Sequence, residues 1–346
     1  MELGTVSELV NTRSVIKHIR KHNKDMEQGV GVGSDYSLAN GIAVSEGVAS
    51  TPYIAWVKAM NNLAVSGARI SGVRTVMLLP ESVTEEEIKL YMKEFNSLAD
   101  EEDIQILGGH TEVGRAYNFV SFVVTAYGMV EKYRQNIKVI NEGDKIVMIG
   151  LAGLMGTDLI ARQKTEELSS RFARSYIERA FFDKTEYAVK NKVDKLLDLF
   201  GDDVLYMHDV SQGGIYGALW QLGVKIKHGI CIEHAAIPIR QETVEICNYF
   251  DINPYLLDGT GALVAVVKDR EKESQSDDED MDVVDENTTK SSLTKRLTDM
   301  GFSAAVVGTV TKDNNKTVLL GDEKEPETRF LSPIKGDEIY KIIDRR

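Results

Sequence analysis

Apolar residues in the first half of the chain recur at two spacings, one typical of helices and the other typical of strands. Residues 3–20 have the helical spacing and predict an amphipathic first helix. A capping box formed by Thr84 and Glu87 precedes IKLYMKEFNSLA and predicts a second helix start. The remaining predicted elements are a strand at 42–48, a helix at 56–69, a strand at 73–80, a short strand at 104–107 that runs into GGHTEVG, and a long strand at 119–130.

A polar stretch at 131–144 separates this half from a second run of elements. The pattern of the whole chain predicts mixed α/β structure, divided into a domain 1–140 and a domain 141–346. The elements of the second half are the strand IVMIG, a turn and helix at GLAGLMGT, a long helical region through Phe200, the strand VLYMHD at 204–209, a helix entered at SQGGIYGALWQLG, the segment GICIEH, a helix at RQETVEICNYF, the strand ALVAVV at 262–267, a helix at SSLTKRLTDMG, and final strands AAVVGTV and TVLLG.

Residues 271–290, EKESQSDDEDMDVVDENTTK, differ from the rest of the chain because they are acidic and nearly free of apolar side chains. Like charges repel, and such a segment cannot bury apolar area. We expect a disordered surface insertion there, with a partner-docking segment as the alternative.

Composition narrows the classes of function. A chain of 346 residues with 42% hydrophobic content and a net charge of -13 is typical of a globular protein and argues against nucleic-acid binding. The cysteines, Cys231 and Cys247, form no CxxC pair, which favours two free thiols in a reducing compartment. The N-terminal segment does not resemble a signal or transit peptide, and no apolar run is long enough to span a bilayer. We therefore expect a cytoplasmic protein without a membrane partner.

Three glycines run into an aspartate in GVGVGSD, at residues 29–35. A dinucleotide-binding loop needs G-x-G-x-x-G between a buried strand and a helix. Here Ser34 stands where the third glycine is needed, KHNKDMEQ precedes the loop, and DYSLANG is a poor helix start. The dinucleotide interpretation therefore fails on context.

Polar residues at the ends of apolar elements occur in four short stretches: GSD at 33–35, SEG at 45–47, NN at 61–62 and GGHTE at 108–112. Carboxylate and amide oxygens are ligands that Mg²⁺ accepts and shares with nucleotide phosphates. Glycines allow backbone N–H groups to approach phosphate oxygens. Each stretch alone is a weak signal, and their order along the chain indicates a Mg²⁺-phosphate site.

That order resembles the superfamily of aminoimidazole ribonucleotide (AIR) synthase, which includes the maturation dehydratase HypE, thiamine-monophosphate kinase and selenophosphate synthetase. GVGVGSDYS resembles the family's glycine-acid loop, EGVAST the DGVGTK stretch, and AMNNLAVSGAR the N-D-L-x-x-x-G-A helix. ILGGHTEV resembles the strand and GG[DEH]T motif, and MHDVSQGG the HD-x-[ST]-x-GG element of the second domain. GLAGLMGTDLIA and AAVVGTV match further pieces of that domain.

The resemblance implies a two-domain α/β fold whose N-terminal domains pair into a dimeric, β-barrel-like core. It implies an ATP groove bounded by both domains and the dimer interface, with Mg²⁺ held by acidic motifs. The reaction it implies is ATP-dependent phosphoryl transfer, often to an amide or formyl oxygen of a small substrate.

Carried onto this sequence, the resemblance implies three sets of site residues. The catalytic set is Asp35, His110 and Asp209, and the metal set is Asp35, Glu46 and Glu112. The nucleotide-binding set is Gly31, Gly33, Asp35, Asn62, Gly108, Gly109, Thr111, Gly213 and Gly214.

The sequence departs from the family where acids are common, with Ser34, Asn62 and His110 in their place. The metal site therefore lacks charges that relatives have. Plainer interpretations stay open for single residues: Gly213 and Gly214 could only start a helix, His110 could be a turn residue, and His208 a buried strand-end histidine bonded to backbone.

Among the branches of the superfamily, the uncharacterised AIR synthase-related proteins fit best. HypE works through a C-terminal cysteine, whereas this sequence ends IYKIIDRR, and selenophosphate synthetase needs a cysteine in an N-terminal segment. The expected function is an ATP-dependent enzyme acting on a small amide- or carbonyl-bearing substrate. The alternatives are a non-catalytic nucleotide- or metabolite-binding homodimer, a HypE-like maturation factor without the cysteine, and an interaction protein that uses the acidic segment.

Overall fold

The computed structural model describes residues 3–19, 26–130, 137–269, 293, 295–321 and 326–343. The predicted disordered insertion at 271–290 lies outside these residues, and its disorder stays a prediction. In the described part, each half of the chain builds one β-sheet with helices packed against it.

The sheet of the N-terminal half has the strand order β1-β2-β3-β6-β4-β5, with β4 and β5 parallel and all other pairs antiparallel. Its strands are β1 (Met26–Gln28), β2 (Ser37–Ala39), β3 (Ile42–Ala49), β4 (Arg69–Leu79), β5 (Ile106–Val113) and β6 (Ser121–Met129). The helices of this half are α1 (Glu8–Ser14), α2 (Pro52–Ala64) and α3 (Glu85–Glu102).

Alternation along β6 gives this sheet one covered and one open face. Phe122, Val124 and Ala126 are fully buried, and α2 packs on that side against β3 and β6. The opposite face carries a row of paired residues, Val48, Val123, Val76 and His110, one from each of β3, β6, β4 and β5. Within the described residues the edge strands β1 and β5 do not pair, so a single chain forms an open sheet and not a closed barrel.

The sheet of the C-terminal half has the order β13-β12-β9-β11-β7-β10-β8, in which the pair of β12 with β9 is parallel. Its strands are β7 (Lys145–Ile149), β8 (Val204–Val210), β9 (Gly229–Glu233), β10 (Ala262–Val267), β11 (Ala304–Thr311), β12 (Lys316–Leu320) and β13 (Glu327–Phe330). The helices are α4 (Leu154–Gln163), α5 (Thr165–Leu168), α6 (Arg174–Glu178), α7 (Lys190–Phe200), α8 (Gly214–Ile226) and α9 (Gln241–Tyr249).

The two halves share a core. β10 is buried along its whole length, because Leu263 and Ala265 pack into one cluster with Trp56 of α2 while Val264 and Val266 pack with Leu219 of α8. A strand covered on both faces reads as a continuous apolar run, as ALVAVV does. The side chains at the end of neighbouring β8 are therefore held against the N-terminal half.

Most predicted elements are present, and three differences bear on the site and the core. The first helix is shorter than 3–20, since α1 begins at Glu8 and Leu3 and Val6 are exposed. The long helical region before Phe200 is broken into α4, α5, α6 and α7. GGHTE does not follow a strand as predicted, because pairing with β4 continues through it and makes it the body of β5.

Two further expectations concern the cysteines and the membrane. Cys231 and Cys247 are free thiols, as predicted, and Cys247 is buried. Among the described residues no helix combines the length and the apolar character that crossing a bilayer requires.

Candidate functional site

The glycine loop at 29–35 packs against the C-terminal half. Gly33 has a φ of +67°, and its carbonyl oxygen accepts a hydrogen bond of 2.8 Å from the Tyr206 hydroxyl. A Cβ at position 33 would lie 2.9 Å from the carbonyl oxygen of Gln221 on α8. Only glycine fits both the left-handed backbone and this approach. The loop is therefore a docking element that carries Asp35 across to β8.

Asp35 meets the last residues of β8 at the seam between the two halves. Its Oδ2 lies 2.5 Å from Nδ1 of His208, and the backbone N–H of Asp209 is 3.4 Å from the same oxygen. His208 is 3% exposed and Asp35 is 9% exposed, so this ion pair is shielded from solvent. One ligand atom each of Asp35, His208 and Asp209 lie within 4.8 Å of one another.

Electrostatics within this cluster favour a charged histidine. Burial alone would lower the pKa of His208, but the charge and hydrogen bond of Asp35, with Asp209 and Gln221, outweigh it and raise the pKa to about 9. The pKa of Asp209 is raised well above its ordinary value, first by burial and then by the charge of Asp35. The cluster thus places two acidic groups beside one imidazolium.

Two lysines border the cluster. Lys225 of α8 donates a hydrogen bond of 2.8 Å to the Ser34 hydroxyl, and burial lowers its pKa while the nearby Asp35 charge raises it. Lys58 of α2 lies 3.5 Å from the buried carboxylate of Asp258. Ser34 therefore serves as a hydrogen-bond partner of Lys225.

Glu46 and Asn62 lie beside this cluster and contact each other. The side-chain amide of Asn62 donates to the Glu46 carbonyl oxygen at 3.1 Å. Both line a cavity of about 400 Å³ that also includes Lys58, Ser211 and Gln212, together with Gly4, Thr5, Val6, Gly47 and Val48. This cavity opens directly after the HD pair of β8, because Ser211 and Gln212 follow that strand.

His110 and Glu112 lie elsewhere in the single chain. Both are on β5, separated from β3 by β4 and β6, which is about 14 Å at the usual strand spacing. They are half exposed or more, and Nε2 of His110 is 3.3 Å from Oε2 of Glu112. The chain therefore does not assemble Asp35, Glu46 and Glu112 into one ligand set by itself.

Glycines of the GGHTE stretch have a packing reason of their own. A Cβ at Gly109 would lie 1.7 Å from the Thr75 carbonyl oxygen of β4, so the two strands approach too closely for a side chain there. Gly108 and Thr111 are exposed on the same edge strand. Their predicted role at a phosphate is not tested by this packing and stays a prediction.

Gly213 and Gly214 begin α8, and their backbone N–H groups are already used. The N–H of Gly213 donates to Oδ2 of Asp337 at 2.7 Å, and that of Gly214 to the Ser211 carbonyl oxygen at 3.1 Å. Burial and the neighbouring Asp258 charge raise the pKa of Asp337 to about 7, although three backbone N–H groups oppose this. A phosphate at this helix start would have to displace the Asp337 carboxylate.

Gly31 lies on the open side of the loop, where a Cβ would meet only the Ser34 hydroxyl at 3.4 Å. It remains the loop glycine with room for a ligand.

Sequence reasoning missed four residues of this neighbourhood: Glu8, Gln221, Asp258 and Asp337. The sequence did contain a signal for Gln221, because this polar residue interrupts the apolar pattern of IYGALWQLG. It contained another for Asp258, an acid that stands between the apolar pair LL and the glycine-rich GTG. Nothing local singled out Glu8 or Asp337, because their contacts with Gln221 and Gly213 join positions more than 120 residues apart.

A larger groove of about 880 Å³ runs beside β12, β13 and the C-terminal segment. Its wall includes a ring cluster of Tyr216, His234 and Tyr255, and none of the predicted site residues lines it. The cluster at the seam, and not this groove, therefore holds the candidate chemistry.

The fold and the seam between two α/β halves define an AIR synthase-type protein. Sequence models of "AIR synthase related protein" match this chain over residues 39–130 for the N-terminal domain and 141–321 for the C-terminal domain. The chain belongs to this family, as the motifs predicted.

Two relatives show what kinds of protein this chain is similar to. A protein of Methanocaldococcus jannaschii, named for a proposed role in hydrogenase expression and formation, is 23% identical over 82% of this chain and 76% of its own length. The carbamoyl dehydratase HypE of Rhodobacter capsulatus is 25% identical over 61% of this chain and 60% of its own length.

A solved structure of the hydrogenase maturation protein HypE in complex with ATP shares the fold. It matches with a TM-score of 0.66 at 16% identity and covers 99% of this chain and 98% of the other. The predicted mixed α/β, AIR synthase-like architecture is confirmed by this likeness and by the family match.

Proposed function

We propose that the protein is an ATP-dependent enzyme that activates an amide-, carbamoyl- or formyl-type oxygen of a small substrate by phosphoryl transfer. The observation that carries the proposal is the meeting of Asp35 and Asp209 at the seam, where each half of the chain contributes one carboxylate. Two carboxylates converging beside a cavity are the arrangement that a metal-bound nucleotide requires.

The residues present fit a divalent cation of the Mg²⁺ kind. Asp35 and Asp209 lie close together with little access to solvent, and burial followed by the charge of Asp35 raises the pKa of Asp209. A cation between them would balance their negative charge, with carboxylate oxygens as suitable hard ligands. Glu46 at the adjoining cavity could add a third oxygen. Bound there, Mg²⁺ would neutralise phosphate charge.

The chain's own groups would perform the remaining tasks. Phosphoryl transfer needs positioning and charge neutralisation more than a strong protein nucleophile. Lys58 and Lys225 would place positive charge at the two sides of the cluster, and His208 would hold one oxygen of Asp35 in place. The 400 Å³ cavity, with the Asn62 amide and Ser211 in its wall, would hold the acceptor.

The named relatives support the substrate class. HypE of Rhodobacter capsulatus is named a carbamoyl dehydratase, and a HypE has been solved with ATP. ATP can drive dehydration of a carbamoyl group if the phosphorylated oxygen leaves as phosphate, both nitrogen-bound protons are lost and a carbon–nitrogen triple bond forms. We extend this chemistry to the present chain at the level of substrate class.

A homodimer is part of the proposal. The open sheet face carries Val48, Val123 and Val76 in a row, flanked by Glu46 on β3 and by His110 and Glu112 on the β5 side. A second copy packed on this face would cover the valines and could bring one chain's β5 to the other chain's β3. His110 and Glu112 would then complete the site from the partner.

Binding and turnover of ATP test this function. At millimolar MgATP the melting temperature should rise by several degrees, because a ligand with a Kd a hundredfold lower stabilises by about 2.7 kcal/mol. Phosphate release that depends on an added carbamoyl compound should follow. A melting shift without any ATP turnover would favour a non-catalytic nucleotide-binding dimer, and no shift would refute the proposal.

A further inference from the structure

The N-terminal segment before the family-matched region reaches the seam cluster. Helix α1 lies outside both matched ranges, 39–130 and 141–321. Its first residue, Glu8, is 8% exposed and contacts Gln221 on α8, more than 200 positions along the chain. Burying a carboxylate costs free energy unless hydrogen bonds or an opposite charge compensate for the lost water.

Glu8 begins a chain of hydrogen bonds that ends at Asp35. Its Oε1 accepts from Nε2 of Gln221 at 2.5 Å. The other end of that amide, Oε1 of Gln221, lies 2.9 Å from Nε2 of His208. Nδ1 of His208 then donates to Asp35 at 2.5 Å.

The carboxylate at position 8 sets the direction of this chain. A carboxylate only accepts, so the amide nitrogen of Gln221 must face Glu8 and its oxygen must face His208. The imidazole consequently donates from both nitrogens and takes one oxygen of Asp35. That leaves the other oxygen of Asp35 for a ligand, and it holds the side chain in one orientation.

Glu8 has one oxygen to spare. Its Oε2 is buried and has no hydrogen-bond partner among the described residues. An unsatisfied buried oxygen costs free energy. If Glu8 only anchored α1, a charged side chain would not be needed there. The charge has a use if it orients Gln221 and, through it, His208.

The same segment contacts the adjoining cavity. The backbone N–H and hydroxyl of Thr5 both donate to Oε1 of Gln212, at 2.9 and 2.7 Å. Gly4, Thr5 and Val6 line the cavity that also includes Glu46 and Asn62. Residues 4–8 therefore touch the site at two places, from outside the family-matched region.

We infer that Glu8 is a positioning residue of the seam site, acting through Gln221 and His208 on the orientation of Asp35. The inference rests on the proposed function for its effect on nucleotide binding. Its structural part, the control of the His208 hydrogen bond by Glu8, can be measured without any ligand.

The principal variant is Glu8→Gln, which keeps the shape of the side chain. An amide can donate as well as accept, so it no longer forces the orientation of Gln221. In nitrogen-edited NMR of the full-length, ligand-free protein, wild type should show a protected Nε2–H proton of His208. Glu8→Gln should lose or weaken that protection, whereas Glu86→Gln, which removes an exposed carboxylate on α3, should leave it unchanged.

Calorimetric titration with MgATP supplies the second readout. Glu8→Gln should weaken binding by about tenfold, as changes behind a metal ligand commonly do. Gln221→Leu should weaken it similarly, and the double variant should be no worse than the more severe single one, because both interrupt one chain. Gln221→Leu also tests the connection if Glu8→Gln does not fold.

The outcomes separate the two ideas. If Glu8→Gln lowers the melting temperature but leaves both the His208 proton and the MgATP affinity unchanged, Glu8 is only an anchor and the inference is wrong. Additive losses in the double variant would also overturn it. If wild type binds no MgATP, the proposed function fails, while the His208 proton still decides the role of Glu8.

Discussion

Oδ2 of Asp35 lies 2.5 Å from Nδ1 of His208, and this contact joins a loop of the N-terminal half to a strand of the C-terminal half. The imidazolium neutralises one of two acids that burial forces together. The site is therefore a property of the domain pair, and substitutions on either side of the seam should affect it.

Asn62→Asp introduces the acid that the family motif implies at this position, and the structure predicts its effect on stability. The amide of Asn62 now donates to the Glu46 carbonyl oxygen, which a carboxylate cannot do. We expect a lower melting temperature in the absence of metal, and a larger rise on adding Mg²⁺ than wild type shows. Differential scanning calorimetry with and without MgCl₂ measures both. The neighbouring Asn61 is unsuitable as a control, because it is buried and its amide donates to the Tyr187 carbonyl oxygen. The matched control is Asn96→Asp, at an exposed position of α3. A Mg²⁺ response equal to that of wild type would show that position 62 is not near the cation.

The surface of the N-terminal sheet should mediate dimer formation. Val123 pairs with Val48 on one side and Val76 on the other, in the middle of the open face. Val123→Glu should convert a dimer into a monomer in sedimentation velocity, because a dimer interface would have to bury the new charge. Leu90→Glu, at an exposed position of α3, is the control and should leave the dimer intact. A wild-type monomer at micromolar concentration, or a dimeric Val123→Glu, would contradict this assignment.

Cys247 should make stability fall at high pH. Burial, followed by the charges of Glu338 and Asp337, raises the pKa of its thiol from 9.0 to about 12. The unfolded chain therefore loses this proton first, so between pH 9 and 12 the folded state is disfavoured by up to about 1.4 kcal/mol per pH unit. Cys247→Ala should lose less stability than wild type over that window, and the same as wild type between pH 6 and 8. Urea denaturation at several pH values measures the difference. Parallel curves for the two proteins up to pH 11 would show that the thiol is not shielded.

Much of the fold could be predicted from the sequence because its signals are local. The capping box of Thr84 and Glu87 is present at the start of α3, and the predicted strand FVSFVVTAYGMV forms β6. The predicted range of the first helix is too long, because Leu3 and Val6 are exposed and do not pack into a core. Spacing alone cannot report whether a buried partner exists.

The site could be predicted in part. Asp35 and Asp209 were both selected as site residues, and the structure places them together. His208 is buried as the plainer interpretation held, but side chains of Asp35 and Gln221 satisfy it instead of the backbone. Glu112 and His110 lie on the edge strand β5, separated from β3 by two strands. The order of motifs along the chain could not reveal this, because strand order depends on long-range pairing.

The binding of MgATP to wild type and to Asp35→Asn, measured by isothermal titration calorimetry, tests the central claim most directly. Asparagine is nearly isosteric with aspartate, but it removes the charge that faces both a cation and His208. The account predicts that wild type binds and that Asp35→Asn binds about ten- to a hundredfold more weakly, which corresponds to roughly 1.5–3 kcal/mol for a charge-assisted contact. Equal affinity in the two proteins, or no binding to wild type, would contradict the assignment of the seam cluster as a nucleotide site.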